Sequence, residues 1–159
     1  MGIECKLGRK AVAFIAIAAA VAWIAAGAAF RATASDGDLF IPAGEITEKA
    51  TFFPVTVEGV NMEIFAVRAP DGTIRTAFNT CQICFDSGRG YYKQDGDAFV
   101  CQNCGNRFRT SQIELVKGGC NPVPIMPGDK IADENGITIT KEYLAKAKSI
   151  FANWKARAN

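Results

Sequence analysis

Two C-x-x-C motifs, Cys81-Gln82-Ile83-Cys84 and Cys101-Gln102-Asn103-Cys104, stand sixteen residues apart in a chain of 159. No other feature limits the possible folds as strongly, because a separation of about 15–20 residues is that of a four-thiolate metal site. Each motif turns tightly enough to aim two sulfurs and several backbone N–H groups at one point. A hairpin-like excursion between them then brings the two pairs together. Thiolates are soft donors and suit zinc, a single iron or an iron–sulfur cluster, whereas calcium needs oxygen ligands. Spacing alone favours zinc slightly. Structural zinc contributes about 10–16 kcal/mol to the folding of zinc-finger peptides, enough to hold a small β domain together.

The chain contains no histidine. That absence excludes Ser-His-Asp and Cys-His catalysis, His-ligated metals, and covalent c-type haem, which needs a His directly after C-x-x-C. Phe85 and Gly105 occupy those following positions. Two other readings of the cysteines compete with the metal site. A disulfide framework suits an oxidising compartment, but the five cysteines after residue 31 cannot all pair within one chain. A thioredoxin-like pair belongs at the start of a helix in a βαβ unit, and both motifs here lie between strand-like segments.

The expected ligands are therefore Cys81, Cys84, Cys101 and Cys104. Cys120 follows Cys104 after fifteen residues, in the tight turn Gly118-Gly119-Cys120-Asn121-Pro122. Its glycines permit close backbone approach, which makes it a possible near-site sulfur whose loss is expected to leave the metal bound. An ordinary thiol and an intermolecular linkage point are the alternatives. Phe85, Phe99 and Phe108 are candidates for an apolar shell around the sulfurs, and Arg107 and Arg109 for offsetting thiolate charge.

Residues 11–30, AVAFIAIAAAVAWIAAGAAF, carry no charged or polar side chain. As a helix they span about 30 Å, the thickness of a hydrocarbon core. Lys6, Arg9 and Lys10 precede them, and basic residues stay on the cytoplasmic side. The segment reads as an anchor that leaves everything after Arg31 outside. Ala32-Thr33-Ala34 offers a small-residue cleavage site, but the apolar stretch is longer than a signal peptide needs, so an uncleaved anchor is favoured. Cys5, ahead of the apolar run, reads as a passive thiol. Residues 31–159 hold 15 basic and 15 acidic side chains, and with no basic surface evident nucleic acid is not an expected partner.

The expected organisation is a basic cytoplasmic N-terminus (1–10), an anchor (11–30), a linker (31–44) ordered from about Phe40 and Ile41, and an exported four-cysteine metal-binding β domain (45–159). Strands are expected at 51–57, where Pro54 marks an edge or bulge, and at 61–68, with Met62, Ile64 and Ala66 on one face. Pro70-Asp71-Gly72 turns into a third at 73–78. Shorter strands are expected at 98–100, 113–116 and 137–140, and the proline-rich residues 121–129 are expected to run extended over the surface. Thr140 is a helix N-cap, followed by an apolar stripe of Tyr143, Leu144, Ala147, Ile150, Phe151 and Trp154. That stripe is expected to pack on the core. The fold class is a small, mainly β, antiparallel domain with a C-terminal amphipathic helix.

Cys81 to Phe108 resembles the cluster-binding part of a Rieske domain, with Cys in every histidine place and a first loop one residue longer. Four thiolates make a cluster more negative. An all-Cys [2Fe–2S] centre lies near about −400 mV, against roughly −150 to +300 mV for Rieske centres. A fuller similarity is to the FtrD-like membrane iron–sulfur proteins of bacteria. Asn79-Thr80-Cys81 through Cys84, Gly90-Tyr91, Cys101-Gln102-Asn103-Cys104-Gly105-Asn106-Arg107-Phe108 and Gly119-Cys120-Asn121-Pro122 carry it. The resemblance implies bound iron–sulfur and electron movement beside metal transport at the cytoplasmic membrane. It implies a transporter or redox partner, and neither catalytic residues nor a small-molecule substrate. A structural-zinc interaction module and a thiol–disulfide redox protein are the alternative functions.

Overall fold

Residues 51–81 contain the densest run of β-branched and aromatic side chains in the chain, and they form its centre. The computed structural model describes Ala34, Ser35 and residues 37–158. The anchor expected at 11–30, with its basic flank, lies outside the described residues; among those described, no helix is long and apolar enough to cross a membrane.

The strands are β1 (Ala34–Ser35), β2 (Leu39–Pro42), β3 (Thr51–Val57), β4 (Val60–Arg68), β5 (Ile74–Cys81), β6 (Tyr92–Asp95), β7 (Ala98–Cys101), β8 (Arg107–Arg109), β9 (Pro122–Pro124), β10 (Ile131–Ala132) and β11 (Gly136–Ile139). A five-stranded sheet runs in the order β1-β3-β4-β5-β9, antiparallel except where β1 pairs parallel with β3. Two three-stranded sheets, β10-β11-β2 and β6-β7-β8, complete the domain. Glu58 and Gly59, at φ of 47° and 80°, form the two-residue turn from β3 to β4. Positive φ at both positions gives that turn the twist a tight hairpin needs.

Strand β4 is buried on both faces, and its alternation sorts the interior into two cores. Met62, Ile64 and Ala66 point to one side, as the period-2 pattern expects. There they meet Phe53, Val55 and Val57 of β3, Leu39 and Ile41 of β2, Ile137 and Ile139 of β11, and Leu144 and Phe151. Phe65 and Val67 point to the other side and meet Tyr92, Phe99, Phe108, Ile113, Cys81, Cys84 and Cys101. Phe65 stacks on Phe99 with ring centroids 4.2 Å apart. The central sheet is thus covered on one side by the β2–β11 sheet with the C-terminal segment. On the other it is covered by the small sheet that carries the second cysteine motif.

Three segments depart from expectation. Ile113 to Val116 is not a strand. Alternation there would expose Glu114, yet Glu114 is buried and Leu115 and Val116 are exposed. The Glu114 carboxylate accepts hydrogen bonds from the Thr76 backbone N–H at 2.5 Å and its hydroxyl at 3.0 Å, and pairs with Lys130. These bonds turn the backbone inward, leaving Glu114 at a φ of 66°. The proline-rich segment runs extended at Pro122–Pro124 as expected, but only residues 127–129 are exposed. Pro122–Pro124 becomes β9, the edge of the main sheet, with Asn121, Pro122 and Ile125 buried; an edge strand tolerates the missing N–H groups. The C-terminal helix is short.

Thr140 caps that helix as expected, its hydroxyl accepting from the Tyr143 N–H at 3.3 Å. The α-helix α1 covers only Lys141–Lys146, and a 3₁₀ turn follows at Lys148–Phe151. The Thr80 hydroxyl donates to the Ile150 carbonyl, and the Trp154 indole N–H donates to the Asn79 carbonyl at 2.7 Å. Both bonds draw the segment onto β5. The apolar stripe still packs on the core, with Phe151 edge-on to Phe78 and Trp154. Strands β1 and β2 both fall within the stretch read as a linker.

Phe151 is 3% exposed and joins the C-terminal segment to the sheet. Phe151→Ala is expected to cost about 3–5 kcal/mol, seen as a lower urea midpoint with an unchanged m-value. An unaltered midpoint would show that this segment adds nothing to the core.

Candidate metal centre

Cys81 ends β5, on the face shared by Ala77 and Asn79, and therefore points toward the small sheet. Its N–H donates to the Gly90 carbonyl at 2.7 Å, while the next residue's N–H, from Gln82, donates to the Asn121 carbonyl. The first motif then closes through a 3₁₀ turn, Phe85–Ser87, with the Ser87 N–H on the Cys84 carbonyl. The second motif repeats the plan. Cys101 ends β7, its N–H donates to the Asn106 carbonyl, and the Gln102 N–H donates to the Tyr91 carbonyl at 2.8 Å. Gly105, at a φ of 75°, returns its N–H to the Cys101 carbonyl. Side chains avoid that conformation, so a glycine belongs there.

A third turn completes the site. Gly118 and Gly119 both adopt positive φ, 90° and 69°, and present Cys120 between the two motifs. The Cys120 carbonyl accepts from the Tyr92 hydroxyl and from the Asn106 side-chain amide, each at 2.8 Å. The Gly118 N–H donates to the Gln82 side-chain oxygen, and the Asn121 amide donates to the Gly118 carbonyl. One end of the turn is thus tied to each cysteine motif.

The sulfurs converge. Cys120 Sγ lies 3.2 Å from Cys81 Sγ, 3.3 Å from Cys84, 2.7 Å from Cys104 and 3.9 Å from Cys101. The sulfurs of Cys81, Cys84, Cys101 and Cys120 all lie within 4.8 Å of one another. Four sulfurs at about 2.3 Å from one tetrahedral ion sit about 3.8 Å apart. The group is therefore a four-cysteine cluster able to coordinate a metal ion, with a fifth thiol in contact. Cys81, Cys84 and Cys101 are buried, Cys120 is half-buried and Cys104 is exposed. Every donor at this cluster is sulfur, which matches soft metals and iron–sulfur chemistry and disfavours hard cations.

The protons within the cluster are shared unequally. A hydrogen bond from the Cys101 thiol holds Cys81 down at about 4, against the effect of burial and with help from the Tyr92 hydroxyl. That same bond, with burial added, raises Cys101 above the ordinary thiol range. Burial raises Cys84. Cys120 is raised first by burial and then by its hydrogen bond to Cys104, and that bond lowers Cys104. These hydrogen bonds favour the thiolate form at Cys81 and at Cys104. Anionic sulfur is the form that binds metal.

The other residues singled out in the sequence divide. Phe99 and Phe108 pack in the core that contains the buried cysteines, whereas Phe85 is half-buried and is not part of it. Arg107 pairs with Asp95 at 2.6 Å and Arg109 lies 4.0 Å from Asp97, so carboxylates, rather than sulfurs, take their charge. Sequence reasoning missed Tyr92, which is 1% exposed and touches the Cys120 backbone. Asn106 was noted only as part of the family resemblance, without its bond to the Cys120 carbonyl. The pairing of Tyr92 opposite Cys101 in the β6–β7 ladder was the available signal.

A family model described as "Membrane iron-sulfur containing protein FtrD-like" matches residues 46–151. No curated protein and no solved structure matches the chain. The matched stretch contains both motifs, the Cys120 turn and the core strands β3 to β11.

Gly90 supplies the carbonyl that receives the Cys81 N–H, and a Cβ there would run into the backbone of Cys84 and Phe85. Gly90→Ala is expected to displace the first motif and lower metal content per chain, measured by elemental analysis of the folded protein. Wild-type metal content in that variant would show that the two backbones need not approach so closely.

Proposed function

Because this chain belongs to the FtrD-like family, we propose that it is a membrane-anchored, extracytoplasmic protein carrying an iron–sulfur cluster. Its role is to carry electrons for, or otherwise assist, a metal transporter, iron being the metal the family resemblance suggests. It has no substrate turnover of its own. The observation that carries this reading is the convergence of thiols from three turns, with three of them buried. The single-pass topology and the external placement of the domain rest on the apolar run at 11–30 and the basic residues before it.

When bound, the cluster supplies a one-electron couple. The chain's own residues would do the rest. Cys81, Cys84 and Cys101 form a buried three-sulfur floor, and the fourth thiolate comes from Cys104 or Cys120, whose sulfurs are in contact. Phe99 and Phe108 limit water on the core side, and the Tyr92 hydroxyl holds the Cys120 backbone over the floor. Ile83, Leu115 and Val116 give the site an exposed apolar rim, a composition suited to contact with a redox partner or transporter. The motif spacing favours structural zinc as a second reading. In that case the same residues would brace an interaction surface.

Protein purified under nitrogen is expected to be brown, with visible charge-transfer absorption and with iron and acid-labile sulfide in equal amounts. A colourless protein containing zinc would overturn the electron-carrier reading in favour of the interaction module. Both C-x-x-C pairs found disulfide-bonded in fresh protein would overturn the metal reading altogether.

A substitution series addresses the ligands. Cys101→Ser is expected to lose metal and stability together. Cys104→Ser and Cys120→Ser should each keep most of the metal, because the remaining thiol takes the fourth place, and the double variant should lose it. Complete metal loss from either single variant would fix that residue as the sole fourth ligand.

A further inference from the structure

We propose that Cys104 and Cys120 form a redox gate on the metal centre: a disulfide between them removes both candidates for the fourth thiolate at once. The proposal rests on the preceding reading, in which these two sulfurs share one coordination place. It adds a reversible covalent modification that controls whether the site holds metal.

The geometry selects this pair from the possible pairings of five thiols. The contact between Cys104 Sγ and Cys120 Sγ, at 2.7 Å, is the shortest of the four that Cys120 makes. These are also the two least buried thiols of the group, Cys104 exposed and Cys120 half-buried, while Cys81, Cys84 and Cys101 are covered. Thiol–disulfide exchange requires access to the attacking sulfur, so a soluble disulfide reaches Cys104 first. Cys120 then stands in position as the resolving thiol. Its backbone is pinned by Tyr92 and Asn106, and the reaction needs side-chain movement alone. The two cysteines come from different turns, so the bond crosses between them rather than closing either C-x-x-C.

The oxidant is a small-molecule disulfide of the glutathione class. The Cys104 sulfur attacks one sulfur of glutathione disulfide; the S–S bond of the reagent breaks and one glutathione leaves as thiol. The Cys120 sulfur then attacks Cys104 of the mixed disulfide, forming the Cys104–Cys120 bond and expelling the second glutathione. Two protein thiols are oxidised, one reagent disulfide is reduced to two thiols, and the protons pass from the protein thiols to the departing glutathiones. Three thiols remain on the floor. A tetrahedral metal would then keep only three thiolates and an open fourth position, and its affinity falls.

The test uses the full-length chain in detergent with Cys5→Ser, so that only the five thiols of the domain can react. Metal-free protein is treated with glutathione disulfide, alkylated, and mapped by mass spectrometry. The expected result is a Cys104–Cys120 linkage with release of two glutathiones per chain, and reversal by a dithiol reductant. With Cys120→Ser the reaction should stop at a glutathione adduct on Cys104 with one released. A linkage within either C-x-x-C motif as the main product, or no disulfide at all, overturns the gate. In a parallel arm, protein loaded with zinc alone should release zinc in step with that linkage. Linkage without zinc release also overturns it. If the protein takes up no zinc and no iron, the ligand reading fails instead, and the mapping of the metal-free protein distinguishes that case.

Discussion

Sulfurs from three separate turns have to occupy one small volume, and the rest of this fold follows from that requirement. The turns are the ends of β5 and β7 and the Gly118–Gly119 corner. No one of them is placed by itself. The Cys81 N–H is held by Gly90, the Gln82 N–H by Asn121, and the Gln102 N–H by Tyr91. Both cysteine motifs therefore borrow backbone carbonyls from neighbouring segments, while the Cys120 turn is tied to them by the side chains of Gln82, Tyr92 and Asn106. Hydrogen bonds favour the anionic form at Cys81 and Cys104, each of which lies within 4 Å of another sulfur. Such crowding is unfavourable for a bare cluster and favourable for one that gains a cation, which couples metal binding to the integrity of the three turns.

The sequence shows its core strands well and its polar anchors poorly. The alternation of Met62, Ile64 and Ala66 was legible because a half-buried face repeats every second residue. The two C-x-x-C motifs were legible because their chemistry is local, four residues to a turn. Glu114 was not: its partners, Thr76 and Lys130, lie far away in sequence, and a carboxylate among apolar residues reads as an outward-facing position. Nor was β9 evident, since proline content argues against a strand until the sheet order shows an edge waiting for it. Of the four motif cysteines, Cys81, Cys84 and Cys101 belong to the group of four mutually close sulfurs, whose fourth member is Cys120 rather than Cys104. The central position of Cys120 was hidden, because it depends on contacts with Tyr92 and Asn106 that no spacing rule reports.

The two cores divide the work. The one under β2, β11 and the C-terminal segment is made of aliphatic and aromatic side chains with Met62 and holds together without any cysteine. The other counts Cys81, Cys84 and Cys101 among its buried members, and the small sheet that covers it is only three short strands. A sheet of that size has little apolar surface to bury. Stacking of Phe99 on Phe65 supplies part of what it lacks, and a metal held by the four-sulfur cluster would supply more.

The segment leading to the Cys120 turn, Leu115 to Gly119, is exposed throughout. Apolar burial cannot fix the position of a segment that faces water, and a hydrophobic contact is in any case not directional. The fixing is polar instead. Arg75 donates to the Ile113 carbonyl at 2.9 Å, and Glu114 receives Thr76 and Lys130 from two different elements. These bonds specify both place and orientation, because each has a preferred direction and a charged partner left alone in the interior would be costly. The chain enters the exposed turn from a fixed point and leaves it through β9, itself bonded to β5. The Cys120 sulfur is thereby held over the floor formed by Cys81, Cys84 and Cys101 while the turn that carries it stays open to solvent. An accessible, accurately placed thiol is what a site requires if its fourth sulfur is to be exchanged.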